Sequence, residues 1–157
     1  SLKKKPVWVL GGAEGHDHSM ISQMPDLTST ISRVTGPRAL ERAGVSHNDI
    51  DLSMVYDSFT YTALVTLEGM GFCAPGEGPD FVAGQRTAPG GEFPLNTNGG
   101  GLSYTHPGMY GIFLVVEAVR QLRKEAGARQ VPDCNLALVN GTGGFLSSTG
   151  TVVLAAD

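Results

Sequence analysis

The stretch Asn96-Thr97-Asn98-Gly99-Gly100-Gly101-Leu102-Ser103-Tyr104-Thr105-His106-Pro107-Gly108 constrains this chain more than any other. Three consecutive glycines allow backbone torsions closed to other residues and let the main chain approach a ligand closely. Pro107 has no N–H to satisfy and its φ is preset, which suits the first position of a helix. The residues after Gly108, Met-Tyr-Gly-Ile-Phe-Leu-Val-Val-Glu-Ala-Val-Arg-Gln-Leu, read as that helix. His106 is therefore expected just before a helix start, where the first backbone N–H groups lack partners and the dipole favours an anion. Two readings stand. A histidine beside such donors holds a developing oxyanion, or it caps a structural turn.

The order Asn-x-Asn-Gly-Gly-x-x-x-x-x-His-Pro from Asn96 to Pro107 resembles a loop of the thiolase superfamily, usually Asn-x-x-Gly-Gly-Ala-Ile-Ala-x-Gly-His-Pro. Where the degradative and biosynthetic thiolases carry small or aliphatic residues, this chain has Ser103, Tyr104 and Thr105. A tyrosine there is similar to the lipid-transfer-protein-type branch, which includes steroid side-chain aldolases. Full-length enzymes of this kind contain two similar halves, and the chain resembles the second half with its lead-in. The resemblance implies an α/β thiolase-like layered half, β-α-β-α-β-α-β-β, with a mixed, mostly parallel sheet packed with helices. Residues 1–25 are expected as lead-in strand and loop, and residues 26–157 as the C-terminal-like domain. The half with the usual nucleophilic cysteine is not in this sequence.

A length of 157 residues suits about one domain. Hydrophobic residues make up 41% and charged ones only 17%, so much of the chain must be buried or lie at an interface. A net charge of −4, with no basic block beyond Lys3-Lys4-Lys5, speaks against nucleic acid. No apolar run approaches a membrane span, and no signal peptide is expected, since only a short apolar run follows the lysines. Cys73 and Cys134 are too few for a disulfide framework and fit no zinc spacing. A cytoplasmic location is the expectation.

In chain order, Pro6–Leu10 reads as a buried strand and the segment from Ala13 to Pro25 as irregular. His16-Asp17-His18 is either a metal pair with a carboxylate or a loop leaning over the substrate or a neighbouring subunit. A third ligand is not evident, and no metal site is expected. Asp26 or Thr28 reads as the N-cap of a helix ending at Gly44, with Pro37 inside it as a kink or break. Leu52–Tyr56 is a strand and Tyr61–Met70 a helix, and β–α–β order points to a parallel or mixed sheet. A short helix is expected from Asp80 to Arg86. A long helix is expected from Met109 to about Ala126, with Ile112, Val115, Val116, Val119 and Leu122 on one face. Strands are expected over Asn135–Val139 and Gly150–Ala155, the last one pairing antiparallel.

The junction Tyr56-Asp57-Ser58-Phe59-Thr60 lies at the carboxyl end of a strand, where open α/β sheets bind ligands. Thiolases carry Asn-Glu-Ala-Phe-Ala there, and sterol-carrier-protein-type thiolases His-Asp-Cys-Phe-Ser. Phe59 keeps the aromatic anchor, while Tyr56 replaces the water-binding polar residue. Tyr56 is read as a site residue, against the alternative of a half-buried strand-end tyrosine. Thiolases also place an acid/base cysteine in Cys-x-Gly-Gly-Gly, where this chain has Asn140-Gly141-Thr142-Gly143-Gly144. The resemblance therefore implies carbon–carbon cleavage without that cysteine: a retro-aldolase acting on a β-hydroxyacyl-CoA, such as a steroid side-chain thioester. Tyr56, Tyr104 and His106 are the expected catalytic residues. Asp57, Asn96, Asn98, Gly99, Gly100, Gly143 and Gly144 are expected to bind substrate. No cofactor is expected beyond the CoA of the substrate. Expected partners are a second copy of the chain, the N-terminal thiolase half and a zinc-ribbon/OB-fold subunit. Two alternatives are a sterol-carrier-protein-type thiolase or acetyl-CoA acyltransferase, and a non-catalytic acyl-CoA- or lipid-binding protein.

Overall fold

The computed structural model describes residues 3–157, so the first two residues of the expected lead-in lie outside it. The strands are β1 (Val7–His16), β2 (Leu52–Val55), β3 (Leu136–Gly143) and β4 (Ser148–Ala156). The helices are α1 (Ser32–Ala43), α2 (Thr60–Met70), α3 (Gly78–Val82), α4 (Gly100–Tyr104) and α5 (Gly111–Leu122). The sheet order is β1-β4-β3-β2. β4 is antiparallel to both its neighbours and β2 is parallel to β3, so three of the four strands run in one direction. The expected α/β half is present with one strand fewer. Its middle strand is reduced to a single parallel bridge between Leu95 and Ser53 on the open side of β2. Pro94 has no N–H to continue a ladder, and Asn96 turns away with φ 48°.

Two apolar clusters sandwich the sheet. Ala39, Leu40, Leu67, Met70, Leu138 and Val153 fill the α1/α2 side. Leu52, Met54, Leu114, Ala118, Val139 and Leu154 fill the α5 side. Every residue of β2 is buried, as a strand covered on both faces requires. α1 and α2 meet at Gly36, where a Cβ would lie 2.9 Å from Met70 Cα. Gly44 and Gly71 end these helices in left-handed conformation, with φ 69° and 88°. Among the described residues, no helix is long and apolar enough to cross a membrane.

Several local expectations give way. β1 is the sheet's edge rather than a buried strand, with Trp8 and Val9 more than half exposed, and it runs on to His16 through residues expected to be irregular. Asp26 does not cap α1. Its carboxylate accepts from the Thr28 N–H and hydroxyl in a separate turn, and α1 begins at Ser32 and runs through Pro37 as one helix. α5 buries Leu114, Ala118 and Leu122 and leaves Ile112, Phe113 and Val116 exposed. The helix is apolar nearly all round. Its two inward polar residues, Glu117 and Gln121, are accepted because Thr97 and Arg129 meet them.

Candidate active site

The Asn96–Tyr104 loop is pinned at each step. The Asn96 side chain accepts from Val55 N–H at 2.8 Å and donates to Val55 C=O at 2.7 Å, closing the end of β2 as a further strand would. Thr97 donates to Glu117 at 2.9 Å. Asn98 Oδ1 accepts the Gly100 N–H at 3.0 Å. The Asp57 carboxylate, only 5% exposed, accepts the N–H groups of Gly101 at 2.7 Å and Leu102 at 3.3 Å and so holds the start of α4. Gly99 and Gly100 have φ 99° and 67°, and a Cβ on Gly100 would overlap Asp57. Three residues expected to bind substrate, Asp57, Asn96 and Asn98, thus spend these polar atoms on the loop itself.

His106 does not stand directly before a helix. α5 starts at Gly111, not at Pro107, because Thr105 (φ 74°) and Met109 (φ 59°) turn the chain before the helix can form. The amides of Gly100, Gly101 and Leu102 already have acceptors and are not free to hold an oxyanion.

His106 meets Tyr56 edge-on at 6.3 Å between ring centroids. Tyr56 stacks on Tyr110 at 5.4 Å and 27°. Tyr110 was not singled out in the sequence, where it reads only as an aromatic at a helix start. Its ring is buried and its hydroxyl lacks a well-aligned partner. Burial pushes its phenol above the ordinary value of 10.0, with Asn98 beside it pulling the other way. Tyr110 also lines a cavity of about 430 Å³ with Asn98, Tyr104, Glu117 and Arg129. Tyr104, 61% exposed, reaches this cavity rather than the Tyr56–His106 contact. The structure therefore brings Tyr56 and His106 together, while Tyr104 lines the cavity beside Tyr110.

The second cavity, of about 330 Å³, opens on the α2 side of the sheet. Tyr56, Phe59, Tyr61, Phe145 and Leu146 line it together with Thr142 and Gly144. Phe59 is no buried anchor: it is 69% exposed at this cavity. Gly144 is left-handed at φ 61°, whereas a Cβ on Gly143 would meet nothing within 4 Å. The turn they begin is tied back by His18, whose ring lies 2.6 Å from an Asp17 carboxylate oxygen and 3.0 Å from the Phe145 carbonyl. His16 pairs with Ser148 instead. Among the described residues, no group of three or more His, Cys, Asp or Glu could hold a metal ion.

Glu117 is the buried charge nearest the polar cavity. Burial alone would raise its pKa, but hydrogen bonds from Arg129, Thr97 and Gln121 outweigh it and hold the carboxyl below its ordinary 4.5. Cys134 is driven up to about 11, chiefly by burial, and Cys73 is raised by the same cause, so neither thiol is poised as a nucleophile.

The chain matches the thiolase C-terminal domain-like family over residues 13–156. It is 36% identical over 114 residues to sterol carrier protein 2 of Homo sapiens, covering 72% of this chain and 21% of that protein. It is 37% identical over 129 residues to the 17-hydroxy-3-oxo-4-pregnene-20-carboxyl-CoA lyase of Mycobacterium tuberculosis, covering 78% of this chain and 32% of the lyase. Among solved structures, an Ltp2-ChsH2(DUF35) aldolase superposes with TM-score 0.84 at 31% identity, over 98% of this chain and 40% of that one. The chain thus spans less than half the length of each. Its sheet order, its Asn96–Pro107 loop and these matches agree: the chain belongs to the thiolase C-terminal domain-like family.

Proposed function

We propose that this chain is the C-terminal half of a thiolase-fold retro-aldolase that cleaves the Cα–Cβ bond of a β-hydroxyacyl-CoA. The observation that carries the reading is the contact of Tyr56 with both His106 and Tyr110, on a scaffold whose acid/base cysteine position is taken by Asn140-Gly141-Thr142. A base takes the β-hydroxyl proton. The C–O bond becomes a carbonyl, the Cα–Cβ electron pair moves into the thioester as an enolate, and an acid protonates Cα. A ketone or aldehyde and a shortened acyl-CoA leave. No metal, redox partner or covalent intermediate is needed for this balance.

Phenols suit both proton transfers. One acting as base needs nearby donors, since a free tyrosine ionises near pH 10. Tyr110 keeps its proton and packs its ring against that of Tyr56. His106 serves the enolate oxygen, where a preorganised donor lowers the barrier by about 3 kcal/mol. Tyr104 acts from the polar cavity, which takes the thioester arm. Ile112, exposed on α5 outside that cavity, belongs to the seat of the N-terminal thiolase half. A homodimer and a second subunit with a zinc ribbon and an OB-fold complete the assembly, in keeping with the two-component name of the aldolase structure.

Incubating the full-length protein with a β-hydroxyacyl-CoA and with a β-ketoacyl-CoA tests the reading. Ketone release from the first is the expected outcome. CoA-dependent cleavage of the second alone would establish the thiolase alternative, with His106 activating a cysteine of the other half. Silence on both would leave an acyl-CoA-binding protein. Tyr104→Phe and Tyr56→Phe are each expected to lower kcat by about a hundredfold while the fold survives. Full activity in either removes that tyrosine from the mechanism.

A further inference from the structure

We propose that Tyr110 and Gly101 are positioning residues for the reaction: together they clamp the Tyr56 ring and set the angle at which it meets His106. The inference rests on the retro-aldolase reading and adds what aims the proton-transfer group.

The ring torsion of a tyrosine is soft, so the direction of its hydroxyl is set by what packs against the ring. The Tyr56 backbone is fixed at the end of β2, where its N–H donates to the Asn140 carbonyl at 2.9 Å. Its ring lies on that of Tyr110, with centroids 5.4 Å apart and planes 27° from parallel, within the range of offset stacking. Tyr110 is only 4% exposed and belongs to the apolar cluster on the α5 side, with Phe113 against it at 5.5 Å. The stack is therefore backed by the core rather than by a surface side chain.

Gly101 supplies the second contact. A Cβ built there would lie 3.3 Å from Tyr56 Cε2, 3.3 Å from His106 Nδ1 and 3.3 Å from Asp57 Oδ1. Gly101 is not in left-handed backbone, so its own torsions do not demand glycine. The crowding of the two rings and the carboxylate does, since a methyl group there would press Tyr56 and His106 away from their present angle. Gly101 is held in turn by Asp57, the residue after Tyr56, which accepts its N–H at 2.7 Å. The strand end and the loop thus fix one another around the Tyr56 ring. Such fixing matters to chemistry because a misplacement of about 1 Å can cost roughly a hundredfold in rate.

The test uses the full-length protein and reads kcat and KM for a β-hydroxyacyl-CoA. Tyr110→Leu removes the stack and is expected to lower kcat about thirtyfold, with KM within about twofold of wild type. Tyr110→Phe keeps the ring and is expected to recover about tenfold of that loss. Gly101→Ala is expected to lower kcat about tenfold, again with KM held. Fluorine NMR of the folded protein labelled with meta-fluorotyrosine separates positioning from lost stability, the Tyr56 signal being the one that disappears in Tyr56→Phe. A clamped ring reorients slowly and gives two signals, one for each placement of the fluorine, whereas a released ring gives one averaged line. Wild type and Tyr110→Phe are expected to show two signals and Tyr110→Leu one. Wild-type kcat in Tyr110→Leu or Gly101→Ala, a loss confined to KM, or an unaltered Tyr56 signal in Tyr110→Leu overturns the proposal. Should the wild-type protein cleave no β-hydroxyacyl-CoA, the retro-aldolase reading is lost and the fluorine signal decides alone. Averaging on loss of the Tyr110 ring then keeps the clamp, and no change overturns it.

Discussion

Two glycine-rich loops lie at the same end of the sheet and are built in opposite ways. The Asn96–Tyr104 loop is fixed by Val55, Asp57, Glu117 and its own Asn98, and Gly100 is glycine because Asp57 occupies the space of a side chain. The Gly141–Ser147 turn is tied mainly by the His18 ring and by the Asp17 N–H to the Ser147 carbonyl, and Gly143 faces open space. The contrast separates two reasons for a glycine. In the first loop the missing side chain makes room for the protein. In the second it leaves room for something else.

The largest effect that would sharpen this contrast belongs to Asp57→Ala. It strands the buried Gly101 amide and the part-buried Leu102 amide, which now bond a charged group, and a loss of about 3 kcal/mol in denaturant unfolding is expected. Gly100→Ala should destabilise by a similar amount, since it meets Asp57 and forces a side chain into left-handed backbone. If either variant unfolds at the wild-type midpoint, the loop is not held from Asp57. His18→Ala should cost less, about 1–2 kcal/mol, because it releases the Phe145 carbonyl and a carboxylate oxygen of Asp17, which is partly solvated.

The Glu117 carboxyl gives a pH test of the pinned loop. Its pKa is lower folded than unfolded, so the unfolded chain binds the extra proton. The stabilisation is therefore full above about pH 4.5 and drains away as pH falls through the folded value. Glu117→Gln should flatten that part of the stability–pH curve. A slope as steep as wild type would show that another acid is responsible. The smallest effect is expected at Gly143→Ala: within about 0.5 kcal/mol of wild type, since no neighbour lies within 4 Å of the new carbon. A larger loss would mean that the second loop is packed after all.

Much of the frame was legible because its signals are local. Leu52–Val55 is a short run with only Ser53 polar, and Gly44 and Gly71 stop helices where glycine can turn left-handed. What escaped depends on residues far apart in the chain. Pro107 is a sound start signal, overridden by the turns at Thr105 and Met109 on either side of it. Nothing near Asp57 says that its carboxylate will be taken by Gly101, 44 residues on. Tyr110 enters the site only because β2 and α5 bring it onto Tyr56. The loop motif named Tyr104 and His106 and the strand-end junction named Tyr56, yet neither could say that Tyr104 and Tyr56 would line different cavities.

The Asp57 carboxylate and the glycines it presses against have a consequence for descent. A bulkier residue at position 100 requires that the acid leave first, and an acid lost first strands two amides. Each change by itself is expected to cost about 3 kcal/mol, so mutational drift should cross this junction most readily by altering both ends together. Lineages that diverge in chemistry elsewhere should inherit the pair as a single unit.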